Sequence, residues 1–247
     1  MHQAQHDVQQ IHGSNLGAGN GLASMIADSD RGARYTPAVP ILAVISRGWR
    51  VAVLGLALLG CAAKPLAQPS WPAPSDPMKL SRDAGFEPTD REYLTTHTHA
   101  HLDVFVDGQR VQVPGGIGID VAAPKGIEAT KTPDGSGMDY QVSVCDAPCL
   151  SELHTHTPDG LVHTESSKID VEPHTLGQFF TEWGLQLDDS CVGEYCKPDT
   201  SVDVYLDGKK HEGNPAEIKL APHVEVAIVI GRAPAFIPDS WSFLPGQ

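Results

Sequence analysis

The stretch HTHAHLDVFVDG, from His97 to Gly108, decides how this chain can fold. In a β-strand, side chains at every second position project from the same face of the sheet. One set of alternate positions is apolar and the other is rich in imidazoles: Leu102, Val104 and Val106 form the first, and His97, His99, His101 and Asp103 the second. We therefore expect a strand with one face in a core and three histidines on the other.

The same stretch ends in Asp-Gly, and a second copy of this pattern lies 100 residues later. LDVFVDGQR, residues 102–110, matches VDVYLDGKK, residues 202–210. Asp-Gly between alternating runs is a strong signal for a β-hairpin with a two-residue turn. The two hairpins indicate either two related lobes or two pieces of one sheet, and the sequence leaves both open.

A further hairpin is predicted in ELHTHTPDGLVHTES, residues 152–166, because its centre, TPDG, has the residues of a tight turn. A four-residue loop at this point places His154 opposite His163 and His156 opposite Leu161. The face shared by the two strands would then carry four polar side chains: His154, His156, His163 and Glu165.

One helix is predicted in TLGQFFTEWG, residues 175–184. Thr175 and Gln178 have the spacing of a capping box, and Gly184 is a typical helix stop. The aromatic and leucine residues between them follow the helical period and belong to a core. With a last strand at residues 223–231, these elements predict an α+β fold made mostly of short antiparallel strands and hairpins with one amphipathic helix.

The histidines of the first and third hairpins point to a metal site. Same-face imidazoles two positions apart on a strand are separated by about 6 to 7 Å, which lets two rings converge on one ion. Neutral imidazole binds copper, zinc, nickel and iron, and a nearby carboxylate such as Asp103 can add an oxygen ligand or orient a ring. The predicted ligands are His97, His99, His101, His154, His156, His163 and Glu165.

Two other interpretations of these histidines stay open: a solvated or structural strand face, and proton-transfer catalysis without a metal. His174, His211 and His223 lie beside a helix cap, in a turn and at a strand start, and are not expected to bind the ion. If a metal binds, copper is favoured because it tops the stability order for nitrogen ligands, and zinc is possible.

A short leader is predicted in SRGWRVAVLGLALLGCAAKP, residues 46–65. Two arginines precede an apolar run at 51–59, which is shorter than the about 20 residues that a bilayer needs. The sequence LLGC, ending at Cys61, resembles the lipobox of bacterial lipoproteins, in which the cysteine becomes the lipidated N-terminus. The resemblance implies a lipid anchor on the extracytoplasmic face of the cell membrane. Residues 1–45 do not fit a leader, and we expect translation to start later, at Met25 or at a codon other than that for methionine.

Four cysteines remain after Cys61, spaced C-x3-C and C-x4-C. In an exported chain they predict two disulfides with three possible connectivities, of which local pairing is one. Thiolate ligation of a metal is the alternative. The four residues are Cys145, Cys149, Cys191 and Cys196.

The composition fits an exported domain on a tether. A formal net charge of −14 argues against nucleic acid as a partner, because nucleic acid is bound by basic surfaces. Prolines between Cys61 and Tyr93 predict an extended, semi-stiff spacer. The resulting organisation is a doubtful N-terminal extension at 1–45, a lipoprotein signal peptide at 46–60, a lipidated cysteine and Pro-rich tether at 61–92, an α+β domain at 93–231 and a Pro-rich tail at 232–247.

The motifs HTHAHLDVFVDG, LHTHTPDGLVHTES, TLGQFFTEWG and VDVYLDGK together resemble a family of small exported or membrane-anchored bacterial and archaeal proteins. The resemblance covers residues 96–231. It implies the domain boundary, and it lends no activity.

These observations predict a surface lipoprotein that binds a transition metal for buffering, sensing or delivery. A metal-dependent hydrolase or oxidase with Glu165 as base is one alternative. A metal-free module that binds a partner is the other, and the sequence indicates no particular protein partner. The nucleophile-elbow, zinc-protease, P-loop and dinucleotide-binding motifs are not found, which leans against an enzyme.

Overall fold

The computed structural model describes residues 64–169 and 171–247. The doubtful extension at 1–45, the predicted signal peptide at 46–60 and Cys61 lie outside the described residues. The helices of the described part are α1 (Pro77–Asp83), α2 (Leu176–Trp183) and a 3-10 helix (Pro215–Glu217). None of them is long and apolar enough to cross a membrane.

The strands of the described part are numbered in chain order. They are β1 (Thr96–Val106), β2 (Gln109–Val111), β3 (Ile127–Lys131), β4 (Met138–Val142), β5 (Leu153–His154), β6 (Leu161–Ser166), β7 (Cys191–Val192), β8 (Tyr195–Cys196), β9 (Val202–Leu206), β10 (Lys209–Lys210) and β11 (Glu225–Ile230).

One sheet organises the structure, in the order β10-β9-β11-β1-β6-β5, with β2 paired to β1 outside this path. The strand-rich α+β architecture agrees with the sequence prediction. Most strand pairs are antiparallel, as predicted, and the exception lies at the centre of the sheet, where β1 runs parallel to β11. All six residues of β11 are buried, as expected for a parallel strand covered on both faces.

The two Asp-Gly hairpins are pieces of this one sheet rather than two lobes. β1 with β2 and β9 with β10 form the hairpins, and β11 lies between β1 and β9. Both turn residues have positive φ in each copy, 50° and 79° at Asp107 and Gly108 and 47° and 72° at Asp207 and Gly208. This is the conformation of a type I′ turn, which matches the twist of the strands that it joins.

The predicted helix forms as α2. Thr175 and Gln178 make both hydrogen bonds of a capping box, and Gly184 ends the helix at φ 74°. The buried side of α2 packs in the main core with the apolar face of β1, which includes Leu102 and Val104. The opposite face of β1 is thereby left for the histidines.

The segment predicted as an extended tether is instead packed against the domain in the described part, which begins at Lys64. Trp71 is buried, with its ring centroid 5.8 Å from that of Trp183 on α2, and Phe86 is also buried. Between them Asp76 caps α1, with Pro77 in its first turn. Proline is tolerated there because that N–H has no partner within the helix, so a Pro-rich stretch can still fold.

The four cysteines pair locally. The sulfurs of Cys145 and Cys149 are 2.05 Å apart, and those of Cys191 and Cys196 are 2.13 Å apart. Of the three connectivities, this is the one that joins near neighbours in sequence. The four sulfurs therefore form two disulfides and are not free to bind a metal as thiolates.

Candidate metal centre

Three neighbouring strands, β5, β6 and β1, carry most of the predicted ligands. The register pairs His154 with His163, as the sequence predicted, and pairs His163 with His99. These residues therefore form a row across the sheet. Two register positions further along, and on the same face, His97 lies opposite Glu165.

His156 lies outside β5, yet its ring is close to the same histidines. It was predicted to pair with Leu161, but β5 ends at His154 and no pairing of His156 occurs within the described sheet. Its ring lies 4.5 Å from that of His163, measured between centroids. The five rings are called the histidine cluster below: His97, His99, His154, His156 and His163.

The nitrogens of the histidine cluster have the spacing of metal ligands. Those of His97, His99 and His163 lie within 4.8 Å of one another, and so do those of His154, His156 and His163. The closest contacts are 3.1 Å, from His97 Nε2 to His163 Nδ1, and 3.0 Å, between the Nε2 atoms of His154 and His156. Two nitrogens about 2.0 Å from one ion lie about 2.9 Å apart at a right angle and about 3.3 Å apart at the tetrahedral angle. The cluster could therefore hold a metal ion.

Two rings of the cluster are oriented by the backbone. Nδ1 of His154 donates to the carbonyl of Ser151 at 3.0 Å, and Nδ1 of His156 donates to the carbonyl of Tyr140. With Nδ1 protonated, the neutral rings present Nε2 lone pairs to each other. Two lone pairs 3.0 Å apart repel unless a cation lies between them, and either a proton or a metal ion meets that need.

Glu165 lies at the centre of the site and is 3% exposed. Its Oε2 accepts from the backbone N–H of Tyr93 at 2.9 Å. Its Oε1 has no hydrogen-bond partner among the described residues, and lies 3.5 Å from Nε2 of His97 and 3.8 Å from Nε2 of His154. Burial raises the pKa of this carboxyl to about 7, which makes a nearby cation favourable.

Burial also keeps most of the cluster uncharged. It lowers the pKa of His99 to about 4, and it lowers the pKa values of His97, His154 and His163 below the ordinary value for histidine. These imidazoles are neutral near pH 7. Neutral imidazole is the form that binds a metal, so no proton has to be removed first.

Glu92 belongs to the site although the sequence assigned it to the tether. Its Oε1 lies 3.2 Å from Nε2 of His156. Burial lowers the pKa of His156, but Glu92 and the carbonyl of Tyr140 outweigh it and raise the pKa overall. No periodic pattern marks Glu92, and its only signal is its position five residues before His97.

His101 was predicted to join the other ligands, and the structure places it in a separate network. Its Nδ1 is 2.8 Å from Oε2 of Glu225 and its Nε2 is 2.9 Å from the carbonyl oxygen of Asp159. Trp241 stacks on the ring at 3.8 Å between centroids. The reason is that the pairing of β1 with β11 begins at this position, and its register places His101 opposite Glu225. We call His101, Glu225, Asp159 and Trp241 the His101 network.

The remaining polar candidates also lie apart from the histidine cluster. Asp103 forms an ion pair with Arg110, and it also lies in a separate metal-compatible group with His101 and Glu225. Nε2 of His174 lies 3.3 Å from Oε2 of Glu152. His211 and His223 belong to no metal-compatible group among the described residues. Glu225 and Trp241 were missed because neither follows a ligand pattern in the sequence.

A cavity opens beside the cluster. Its volume is about 490 Å³, and His97, Glu165, His174 and Ile169 are among the residues that line it. The site therefore has a route by which a small molecule can approach one of its histidines and its carboxylate.

No family model, no curated protein and no solved structure matches this chain. The resemblance of its motifs to exported proteins without an assigned activity therefore stays a prediction. The functional argument rests on the geometry of the site.

Proposed function

We propose that this protein binds a transition metal ion, copper first and zinc second, through its histidine cluster, for buffering, sensing or delivery at the cell surface. The observation that carries the proposal is the pair of Nε2 atoms of His154 and His156, 3.0 Å apart, with both Nδ1 atoms held by backbone carbonyls. That arrangement orients two imidazoles toward one point, which is the role of the outer contacts in metal sites.

The preference for copper follows from the donors. The cluster offers imidazole nitrogens and carboxylate oxygens, and the four described cysteines are paired with one another. Without a thiolate, a site of this kind follows the general order of stability, in which Cu(II) exceeds Zn(II) and Ni(II).

The test is a calorimetric titration with Cu(II), Zn(II) and Ni(II). The protein is purified in mild detergent without a polyhistidine tag. His2, His6 and His12, which the predicted start and processing would remove, are replaced by Gln so that an unprocessed chain also lacks them; we call this the background protein. We expect Cu(II) to bind with a dissociation constant below about 1 μM, or about −8 kcal/mol.

Replacing His154, His156 and His163 by Gln in the background protein should abolish this binding, because His163 is shared by both groups of nitrogens. His211→Gln is the matched control, a histidine outside the cluster, and should bind as before. If none of the three metal ions binds to the folded background protein, the metal proposal is wrong and the cluster is a structural or partner-binding surface.

The lipid anchor is a second part of the proposal, supported by the LLGC sequence and the arginines before the apolar run. We expect the chain to sediment with membranes and to carry acyl chains on Cys61, detectable by mass spectrometry. Cys61→Ser should remove the acylation because its hydroxyl does not replace the thiol in lipoprotein processing. An unmodified Cys61 in membrane-derived protein would contradict the anchor.

The second candidate function is a metal-dependent hydrolase or oxidase. Two observations support it: burial raises the pKa of Glu165 to about 7, and a cavity of about 490 Å³ lies beside this carboxyl. A carboxylate poised near neutral pH is suited to take a proton from a water. An enzyme would turn over a member of a substrate panel in the metal-loaded state, and Glu165→Gln would stop turnover while the metal stays bound. A carrier shows no turnover in either protein.

A further inference from the structure

The number of donors in the candidate metal centre exceeds what one ion uses. Zinc and copper sites in proteins are completed by about four ligands. The histidine cluster supplies five imidazoles, and two carboxylates lie against them, one on Glu165 and one on Glu92. Seven side chains around one four-coordinate ion would leave buried donors without a role.

The histidine nitrogens divide into two groups that share one residue, and His154 also forms a third group with the carboxylates of Glu92 and Glu165. The nitrogens of His97 and His99 form one group with His163, and those of His154 and His156 form the other with His163. Each group contains one contact of ligand-to-ligand length, 3.1 Å in the first and 3.0 Å in the second.

Two side chains lie between the groups. An imidazole has two nitrogens on different sides of its ring, and the ring of His163 lies 4.4 Å from that of His99 and 4.5 Å from that of His156. Oε1 of Glu165 is 3.5 Å from Nε2 of His97 in one group and 3.8 Å from Nε2 of His154 in the other.

Unpartnered polar atoms point to a ligand in this region. Oε1 of Glu165 and Nδ1 of His99 have no hydrogen-bond partner among the described residues, and each side chain belongs to a residue that is 3% exposed. A buried polar atom without a partner costs about 1–3 kcal/mol, so such atoms are expected to have a function or a missing partner.

We propose that the histidine cluster is a two-ion centre. One ion is held by His97 and His99, the other by His154 and His156, and Glu165 and His163 lie between them. His163 would ligate one ion as a neutral ring, or both ions after its N–H proton is released to solvent. The carboxylate of Glu165 offsets the repulsion between two neighbouring cations, and Glu92 adds a second negative charge beside His156. The inference rests on the proposed function, because it concerns how many ions the same site binds.

The experiment is the copper content of the background protein at saturation, measured by calorimetry and by native mass spectrometry. We expect two Cu(II) ions per chain. His97→Gln with His99→Gln should leave one ion, and His154→Gln with His156→Gln should also leave one. His211→Gln should keep two.

Electron paramagnetic resonance of the unmodified background protein gives a test that requires no ligand variant. If the ions are neighbours, the second equivalent of Cu(II) should broaden or quench the signal of the first by magnetic coupling. Two additive, uncoupled signals would overturn the shared arrangement of His163 and Glu165.

The stoichiometry separates the inference from the function on which it rests. One ion per chain in the background protein, lost on replacing either pair, overturns the two-ion centre and leaves the proposed function standing. No ion in the folded background protein overturns both. Circular dichroism of every variant shows that loss of an ion is not loss of the fold.

Discussion

The histidine cluster and the His101 network both include histidines from the same face of β1, yet they differ in what the ring nitrogens meet. In the His101 network both nitrogens face oxygen acceptors, and His101 is fully buried. In the cluster, ring nitrogens face other ring nitrogens. Nitrogens that meet oxygen acceptors stabilise a fold, whereas the facing Nε2 atoms of His154 and His156, whose Nδ1 atoms already donate to carbonyls, need a proton or a metal ion between them. The comparison teaches that the partners of a histidine, rather than its spacing, separate a structural ring from a ligand.

The largest expected effect is metal-dependent stability. At a Cu(II) concentration about 1,000 times the dissociation constant, binding to the folded state should raise the free energy of unfolding by about 4 kcal/mol. Urea unfolding of the background protein with and without Cu(II) measures it, and a chelator should reverse it. The variant with His154, His156 and His163 replaced should show no stabilisation by Cu(II). If Cu(II) raised its free energy of unfolding by the same amount, the histidine cluster would not differ from the His101 network in metal binding.

The next largest effect is expected in the His101 network, where a substitution should lower stability and leave Cu(II) binding intact. His101→Ala should lower the free energy of unfolding by about 3 kcal/mol, because it leaves the buried carboxyl of Glu225 without its partner. The folded fraction should still bind Cu(II). Combining His101→Ala with Glu225→Gln should recover part of the loss, since the second change removes the charge that was left unpaired. Loss of Cu(II) binding in folded His101→Ala would place His101 among the ligands after all.

The smallest effect concerns a carboxyl behind the cluster. Glu182 on α2 is fully buried and accepts a hydrogen bond from the hydroxyl of Ser151, whose carbonyl orients His154. Burial raises the pKa of Glu182 from 4.5 to about 8. Because the folded-state pKa lies above the unfolded one, the stability that protonated Glu182 contributes is complete below pH 4.5 and is lost as the pH rises through about 8.

Glu182→Gln should therefore reduce the dependence of stability on pH between about 5 and 8, by on the order of 1–3 kcal/mol. Urea unfolding at several pH values measures it. Glu87→Gln, a change of the same kind at an exposed position, is the control and should leave the pH dependence unchanged. A Glu182→Gln protein as pH-dependent as the parent would mean that this carboxyl is ionised in the fold.

The local elements were predictable because their signals are local. The capping box at Thr175, the Asp-Gly turns and the register of His154 against His163 each depend on a few neighbouring residues. The parallel pairing of β1 with β11 was not predictable, because it joins residues about 120 positions apart and no turn specifies it.

The site was predicted in part for the same reason. Alternation along β1 and β6 identified the cluster ligands, because side-chain direction in a strand follows sequence parity. The same alternation placed His101 with the cluster, whereas the structure sets it in a separate group with Asp103 and Glu225, since the parity of a position does not reveal which residues the neighbouring strand contributes. Glu92 was missed because it contacts His156 through the fold of a segment that proline content alone indicated to be extended.

Anomalous diffraction from crystals grown with Cu(II) tests the central claim most directly. The account predicts a copper peak within bonding distance of Nε2 of His154 and His156, and none at His101. The two-ion inference adds a second peak beside His97 and His99. Copper found only at other histidines, with none at the cluster, would contradict the assignment of these buried rings as metal ligands.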